Sequence, residues 1–119
     1  MAGDAIDALD TGDVLWVDFG RPVGQEQGGR RPAVVLTSRD YNIRSSVVAV
    51  CPITRRPRDW PFEVRLSAIG RLSGVVLVDQ IKVIDPTARP IRRAGRLPGD
   101  VIGEVKAKLA ALLGIPVSN

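Results

Sequence analysis

The chain has 119 residues, one cysteine, no histidine and a formal net charge of +4, a size at which one domain buries roughly two-thirds of the surface its unfolded form exposes. The absence of histidine excludes a histidine acid–base pair, a histidine-based hydrolase triad and a histidine metal site. The acids Asp18, Glu26, Asp40, Asp59, Asp79 and Asp85 stand singly rather than grouped as Mg²⁺ ligands, so chemistry without a metal or cofactor is expected.

Residues 1–11 contain no base and no long apolar run; neither a signal peptide nor a membrane span is expected, and the start reads as flexible. Residues 14–19 read as a strand of β-branched and aromatic side chains, closed by Gly20 and Pro22. A long loop follows over residues 20–31. Residues 32–37 and 47–52 are nearly continuous apolar runs, the pattern of central strands buried on both faces, and the polar stretch 38–46 connects them. Cys51, inside the second run, reads as a reduced core thiol in a cytoplasmic setting.

Residues 62–66 alternate cleanly, which predicts one face on the core and one in water. Residues 75–78 and 81–84 read as two strand pieces separated by a bulge or bend at Asp79-Gln80. Only the C-terminal stretch has a helical period. Pro98 suits its first turn, Asp100 its dipole, and Val101, Ile102, Val105, Leu109, Leu112 and Leu113 share a face, with Gly114 and Pro116 as stops. Five or six strands and one amphipathic helix predict a mainly β fold: a small, curled, antiparallel barrel with the helix packed on it, in one domain spanning 1–119.

The charge is unevenly distributed. Residues 1–20 hold five acids and no base, whereas residues 21–71 hold ten bases against four acids. Fourteen of the seventeen cations are arginine, whose planar fork matches phosphate in two-point contacts; a GC-rich genome also raises that count, so it is their position that makes an anionic partner expected. Two junctions concentrate them. Glu26-Gln27-Gly28-Gly29-Arg30-Arg31-Pro32 hands Arg31 to the start of one strand, and Cys51-Pro52-Ile53-Thr54 carries Thr54 at the end of another, followed by Arg55, Arg56 and Arg58. A third cluster, Arg89, Arg92, Arg93 and Arg96, reads as charged surface.

The order of these features resembles the MazF/PemK-type toxins. The resemblance rests on Gly12-Asp13-Val14-Leu15-Trp16-Val17-Asp18-Phe19, on Gly24-Gln25-Glu26-Gln27-Gly28-Gly29-Arg30-Arg31-Pro32-Ala33-Val34-Val35, on Tyr41-Asn42, on Cys51-Pro52-Ile53-Thr54, on Trp60-Pro61-Phe62-Glu63-Val64 and on Asp79-Gln80-Ile81-Lys82. It implies an SH3-like barrel and a homodimeric, ribosome-independent endoribonuclease that cuts single-stranded RNA without metal and is inhibited by a MazE-like antitoxin. The family's catalytic arginine falls on Arg31, which abuts Pro32, and its catalytic threonine on Thr54.

RNA carries its own nucleophile, the 2′-OH beside each phosphodiester. Arg31 and Thr54 are expected to stabilise the phosphoryl oxygens while that hydroxyl attacks, leaving a 2′,3′-cyclic phosphate and a 5′-OH. Glu26 would accept the proton if burial raised its pKa; otherwise it is a solvated loop acid or ion-pair partner. Single-strand binding calls for stacking faces, phosphate contacts and amides that read bases, for which Phe19, Gln25, Gln27, Asn42, Arg55, Arg56 and Gln80 are the candidates. Trp16 reads as a core aromatic. The apolar N-terminal strand and the terminal helix are where a second copy would dock. Two rivals stand beside this reading: a gyrase poison, whose C-terminal tryptophan is absent from Leu113-Gly114-Ile115, and a non-catalytic RNA- or protein-binding barrel.

Overall fold

The computed structural model describes residues 9–69 and 72–117. Its elements in chain order are β1 (Asp13–Asp18), β2 (Arg30–Val35), α1 (Arg39–Arg44), β3 (Val48–Thr54), β4 (Glu63–Ile69), β5 (Leu72–Leu77), β6 (Lys82–Ile84), β7 (Ile91–Arg96) and α2 (Gly99–Leu113). Among the described residues all pairings are antiparallel, in the order β4-β5-β3-β2-β1-β7, with β6 also on β3.

Strand β3 is the hub. Its first residues pair with β6 (Val48 opposite Ile84), its middle with β2 (Cys51 opposite Val34), and its end with β5 (Thr54 opposite Val75). The expected break at Asp79-Gln80 therefore separates two strands that flank one edge of β3. Thr54 closes the most enclosed strand of the sheet, which is why its backbone is held firmly.

Side chains of β1 alternate between two cores, as a strand's period of two requires. Val14 joins Val34, Ile53, Val76 and Leu97 beneath α2, while Leu15 and Val17 join Ala33, Val50 and Ile84 on the other face. Each such burial contributes roughly 1.5–3 kcal/mol. Helix α2 opens after Pro98 and ends at Gly114, whose left-handed φ of 68° lets its N–H donate to the carbonyls of Ala110 and Ala111. Val105 is buried and Val101, Ile102 and Leu109 pack beside it, but Leu113 is exposed.

Cys51 is a core thiol as expected, with Sγ 3.5 Å from the Val78 carbonyl. Burial, and secondarily the charge of Asp79, push it from 9.0 up to about 12.

Several expectations need correction. The sheet curls but is not closed: among the described residues β4 and β7 do not pair, and α2 reaches across, with Lys108 Nζ donating to the Glu63 carbonyl at 2.8 Å. The stretch 38–46 contains a short helix, α1, capped by the Ser38 hydroxyl, which accepts from Tyr41 N–H. Residues 91–96 form an edge strand rather than plain charged surface. Its pattern is hidden because a register shift opposite Val14 and Leu15 breaks the alternation. Of the start expected to be flexible, residues 1–8 lie outside the described residues. Leu9, however, is fully buried, and Asp10 accepts N–H bonds from Thr11 and Arg39 that hold its carboxyl below the usual range. Finally, β1 offers no free edge to a second copy, since β2 and β7 occupy both its edges.

Candidate active site

Loop 19–29 is closed at its base, where Phe19 N–H donates to Gly29 O at 3.0 Å and Gly29 N–H to Gly20 O at 2.7 Å. Gly28 sits inside this closure. A Cβ there would lie 2.4 Å from Pro22 N and 2.7 Å from Gly20 O, so only glycine fits. Its carbonyl then accepts the Arg31 Nε–H at 2.8 Å. That bond fixes one edge of the guanidinium and leaves both terminal nitrogens to a ligand.

Thr54 is 5% exposed at the end of β3. Its Oγ1 accepts the Arg56 N–H at 3.2 Å, which leaves the hydroxyl hydrogen able to donate outward. Arg31 and Thr54 line one cavity of about 590 Å³, together with Trp16, Arg30, Arg55 and Arg56. A second hollow of about 300 Å³ shares Gln27, Thr54, Arg56 and Arg58 with the first and is walled by Trp60 and Gln25.

Ion-pair accounting separates structural arginines from available ones. Arg44 binds Asp40, Arg65 binds Asp59, and Arg93 and Arg96 both bind Asp13. The guanidinium groups of Arg30, Arg55, Arg56 and Arg58 have no hydrogen-bond or carboxylate partner among the described residues. Such a cluster of unpaired positive charge around a cavity attracts an anion.

The sequence candidates divide accordingly. Gln25, Gln27, Arg55, Arg56 and Gln80 border the two hollows. Gln80 is a brace, because its Oε1 accepts Gln27 N–H at 2.7 Å and its Nε2 donates to Gln25 O at 3.2 Å. It ties loop 19–29 to the β5–β6 turn.

Three candidates do not fit. Asn42 is fully buried, its Nδ2 donating to Leu9 O and Thr37 O and its Oδ1 accepting from Thr37 Oγ1 at 2.6 Å. It has no surface to offer RNA. Asn42→Ala should therefore lower unfolding free energy by about 1–3 kcal/mol while leaving activity per folded molecule unchanged; denaturant titration beside an activity assay checks both. Phe19 is half-buried against the core that contains Leu15 and Val17 and is not among the residues lining either hollow. Glu26 is no buried base: it is exposed, lines neither hollow, and its Oε1 accepts from Lys82 Nζ at 2.7 Å.

Sequence reasoning missed Trp16 and Trp60 as the site's aromatic surfaces. Trp16 alternates with the buried Leu15 and Val17, so it faces away from that core, a signal the strand pattern already contained. Trp60 is half exposed, and its Nε1–H donates to Asp79 Oδ2 at 2.8 Å. Glu63, expected on a wet face, is buried because residues 55–61 fold over it, and its two oxygens accept the Arg58 N–H at 3.2 and 3.1 Å. Both acids therefore hold the arginine-bearing loop in place.

Known proteins resemble the chain over most of its length. Residues 10–113 match the family described as the PemK-like, MazF-like toxin of type II toxin–antitoxin systems. The chain is 41% identical over 105 residues to the endoribonuclease toxin MazF of Escherichia coli (strain K12), covering 88% of this chain and 94% of that protein. A crystal structure of MazF from Deinococcus radiodurans superimposes with a TM-score of 0.82 at 42% identity, covering 89% of this chain and 96% of that one. A MazE–MazF structure from the same organism gives a TM-score of 0.78 at 39% identity, with coverage of 91% and 97%. With its paired junctions, unpaired arginines and curled sheet, the chain belongs to the PemK-like, MazF-like toxin family of type II toxin–antitoxin systems.

Proposed function

We propose that the protein is a sequence-specific endoribonuclease toxin that cuts single-stranded RNA without a metal ion. The observation that carries this reading is the common cavity of Arg31 and Thr54. The 2′ oxygen forms a bond to phosphorus as the bond to the 5′ oxygen breaks. The 2′ proton passes to water, and the 5′ oxygen takes one back from water, giving a 2′,3′-cyclic phosphate and a 5′-OH. Two terminal nitrogens of Arg31 and the Thr54 hydroxyl meet the charge that builds on the phosphoryl oxygens. Neighbouring bases lie along the hollow between Gln25, Gln27 and Trp60, where the indole supplies a stacking face.

Two partners follow from the same reading. A second copy docks at the apolar end of α2, where Leu113, Ile115 and Val117 stay exposed. An acidic, MazE-like antitoxin segment, which folds on binding, complements the unpaired arginines and competes with RNA; the MazE–MazF relative supports such a partner.

Incubation of the purified protein with a long RNA in EDTA tests the reading. Discrete fragments with 5′-OH ends are expected. Intact RNA in EDTA, or 5′-phosphate ends, would overturn it.

A further inference from the structure

Strand β1 lies between β2 and β7, so Trp16 has a neighbour on each side: Pro32 on β2 and Arg92 on β7. Directly opposed residues of an antiparallel pair share a face, which places Arg92, Trp16 and Pro32 in one row across three strands. Beyond Trp16, on the β7 side, lies a hollow of about 350 Å³ lined by Trp16, Asp18, Arg30, Pro90, Ile91 and Arg92. It shares Trp16 and Arg30 with the cavity of Arg31 and Thr54.

The charges there are sorted. Arg93 and Arg96 are held by Asp13, and Arg89 Nη1 donates to Asp18 O at 3.0 Å. Arg92 alone of that cluster has no hydrogen-bond or carboxylate partner among the described residues, and the same is true of the Arg30 guanidinium. Asp18 Oδ1 accepts Gly20 N–H at 2.8 Å, and its second oxygen has no partner among the described residues. An acid in the hollow disfavours a bare phosphate and favours a ligand that offers N–H donors together with its phosphate, as a nucleotide does. The apolar lining from Trp16 and Pro90 suits a base face, while Ile91, opposite Val17, packs against the core on the other side of the sheet.

We propose that the hollow between β1 and β7 is a distal subsite for the same RNA strand. It takes a base against Trp16 and Pro90, an amine or ring N–H of that base donates to Asp18, and the adjoining phosphate lies between Arg30 and Arg92. Strand spacing puts Arg92 roughly 10 Å from Pro32, on the order of one to two nucleotides along an extended strand. The assignment rests on the RNA reading of the neighbouring cavity and extends it.

Arg92→Gln tests it, with Arg93→Gln as a control that removes the same charge from an arginine already paired to Asp13. Two RNAs sharing one cleavage site are compared, a short one that just spans the site and a long one extended on both sides, by kcat/KM and by fluorescence anisotropy of binding. Arg92→Gln should reduce the advantage of the long RNA over the short one about tenfold. It should also make the salt dependence of long-RNA binding shallower by about 0.7 in log–log slope, one phosphate contact. Arg93→Gln should do neither. Loss of binding in Arg92→Gln without any cleavage by the unaltered protein would retain the subsite and reject the nuclease reading. An unchanged long-to-short ratio and slope, equal effects of the two variants, or weakened binding of an acidic peptide alone would overturn the proposal.

Discussion

Arg31→Ala and Thr54→Ala are each expected to slow RNA cleavage by about 10²–10³-fold, the usual cost of removing one preorganised donor from a developing oxyanion. Neither change should unfold the protein. Arg31 is partly exposed and, among the described residues, makes a single side-chain bond, to Gly28 O. Thr54 Oγ1 makes one bond, to the Arg56 N–H, and this loss costs about 1 kcal/mol. Because both groups would serve the same phosphate, the double variant should lose less than the product of the two single losses. Arg31→Lys keeps the charge but not the two-point fork and should stay well below the unaltered rate. Near-normal cleavage by a folded Arg31→Ala or Thr54→Ala protein would remove these residues from the chemistry.

The second large effect is expected at Gly74. Its φ is +109°, and a Cβ there would meet Thr54 O at 2.1 Å, Thr54 C at 2.8 Å and Arg55 Cα at 3.0 Å. These are backbone atoms, which cannot swing aside as a side chain does. Gly74→Ala must therefore push β5 away from the end of β3 or rotate Thr54. Overpacking costs about 1–3 kcal/mol and the left-handed φ a similar amount, so a loss of roughly 2–6 kcal/mol is expected. The activity of the molecules that still fold should fall about 10²-fold, since a shift of about 1 Å in a reacting group has that effect. Gly103→Ala is the matched control: nothing lies within 4 Å of a Cβ at that helical position, and a gain of about 0.5–1 kcal/mol is expected. Denaturant midpoints and cleavage rates, measured on both variants, separate the two effects. A stable, fully active Gly74→Ala would contradict the close approach.

Much of this arrangement was legible from the chain alone. The runs that became β2 and β3 are apolar on both faces because two cores sandwich them, and their ends are punctuated by Gly28-Gly29-Arg30-Arg31 and by Thr54-Arg55-Arg56, so the two junctions could be read from local pattern, whereas the pairing of Arg31 with Thr54 came from the family resemblance. What could not be read depends on tertiary contact. Asn42 looks like a loop amide until Leu9 and Thr37 close over it. Helix α1 is six residues long with one buried side chain, too short for a period to emerge. Edge strand β7 owes its place to pairing with β1 across a bulge, and its arginines look alike in sequence although Asp13 holds two of them. Glu63 sits at a position of strict alternation, but the loop that buries it belongs to no strand or helix.

A single 2′-deoxynucleotide placed immediately 5′ of the cleaved phosphate addresses the chemistry most directly. In this reading Arg31 and the Thr54 hydroxyl hold and stabilise phosphorus, which leaves the attack to the ribose. Cleavage at the substituted position should fall below detection while the RNA still binds and is cut at unsubstituted copies of the same site. Cutting at the deoxy position at the normal rate would mean that another nucleophile attacks, and the roles given to Arg31 and Thr54 would be wrong.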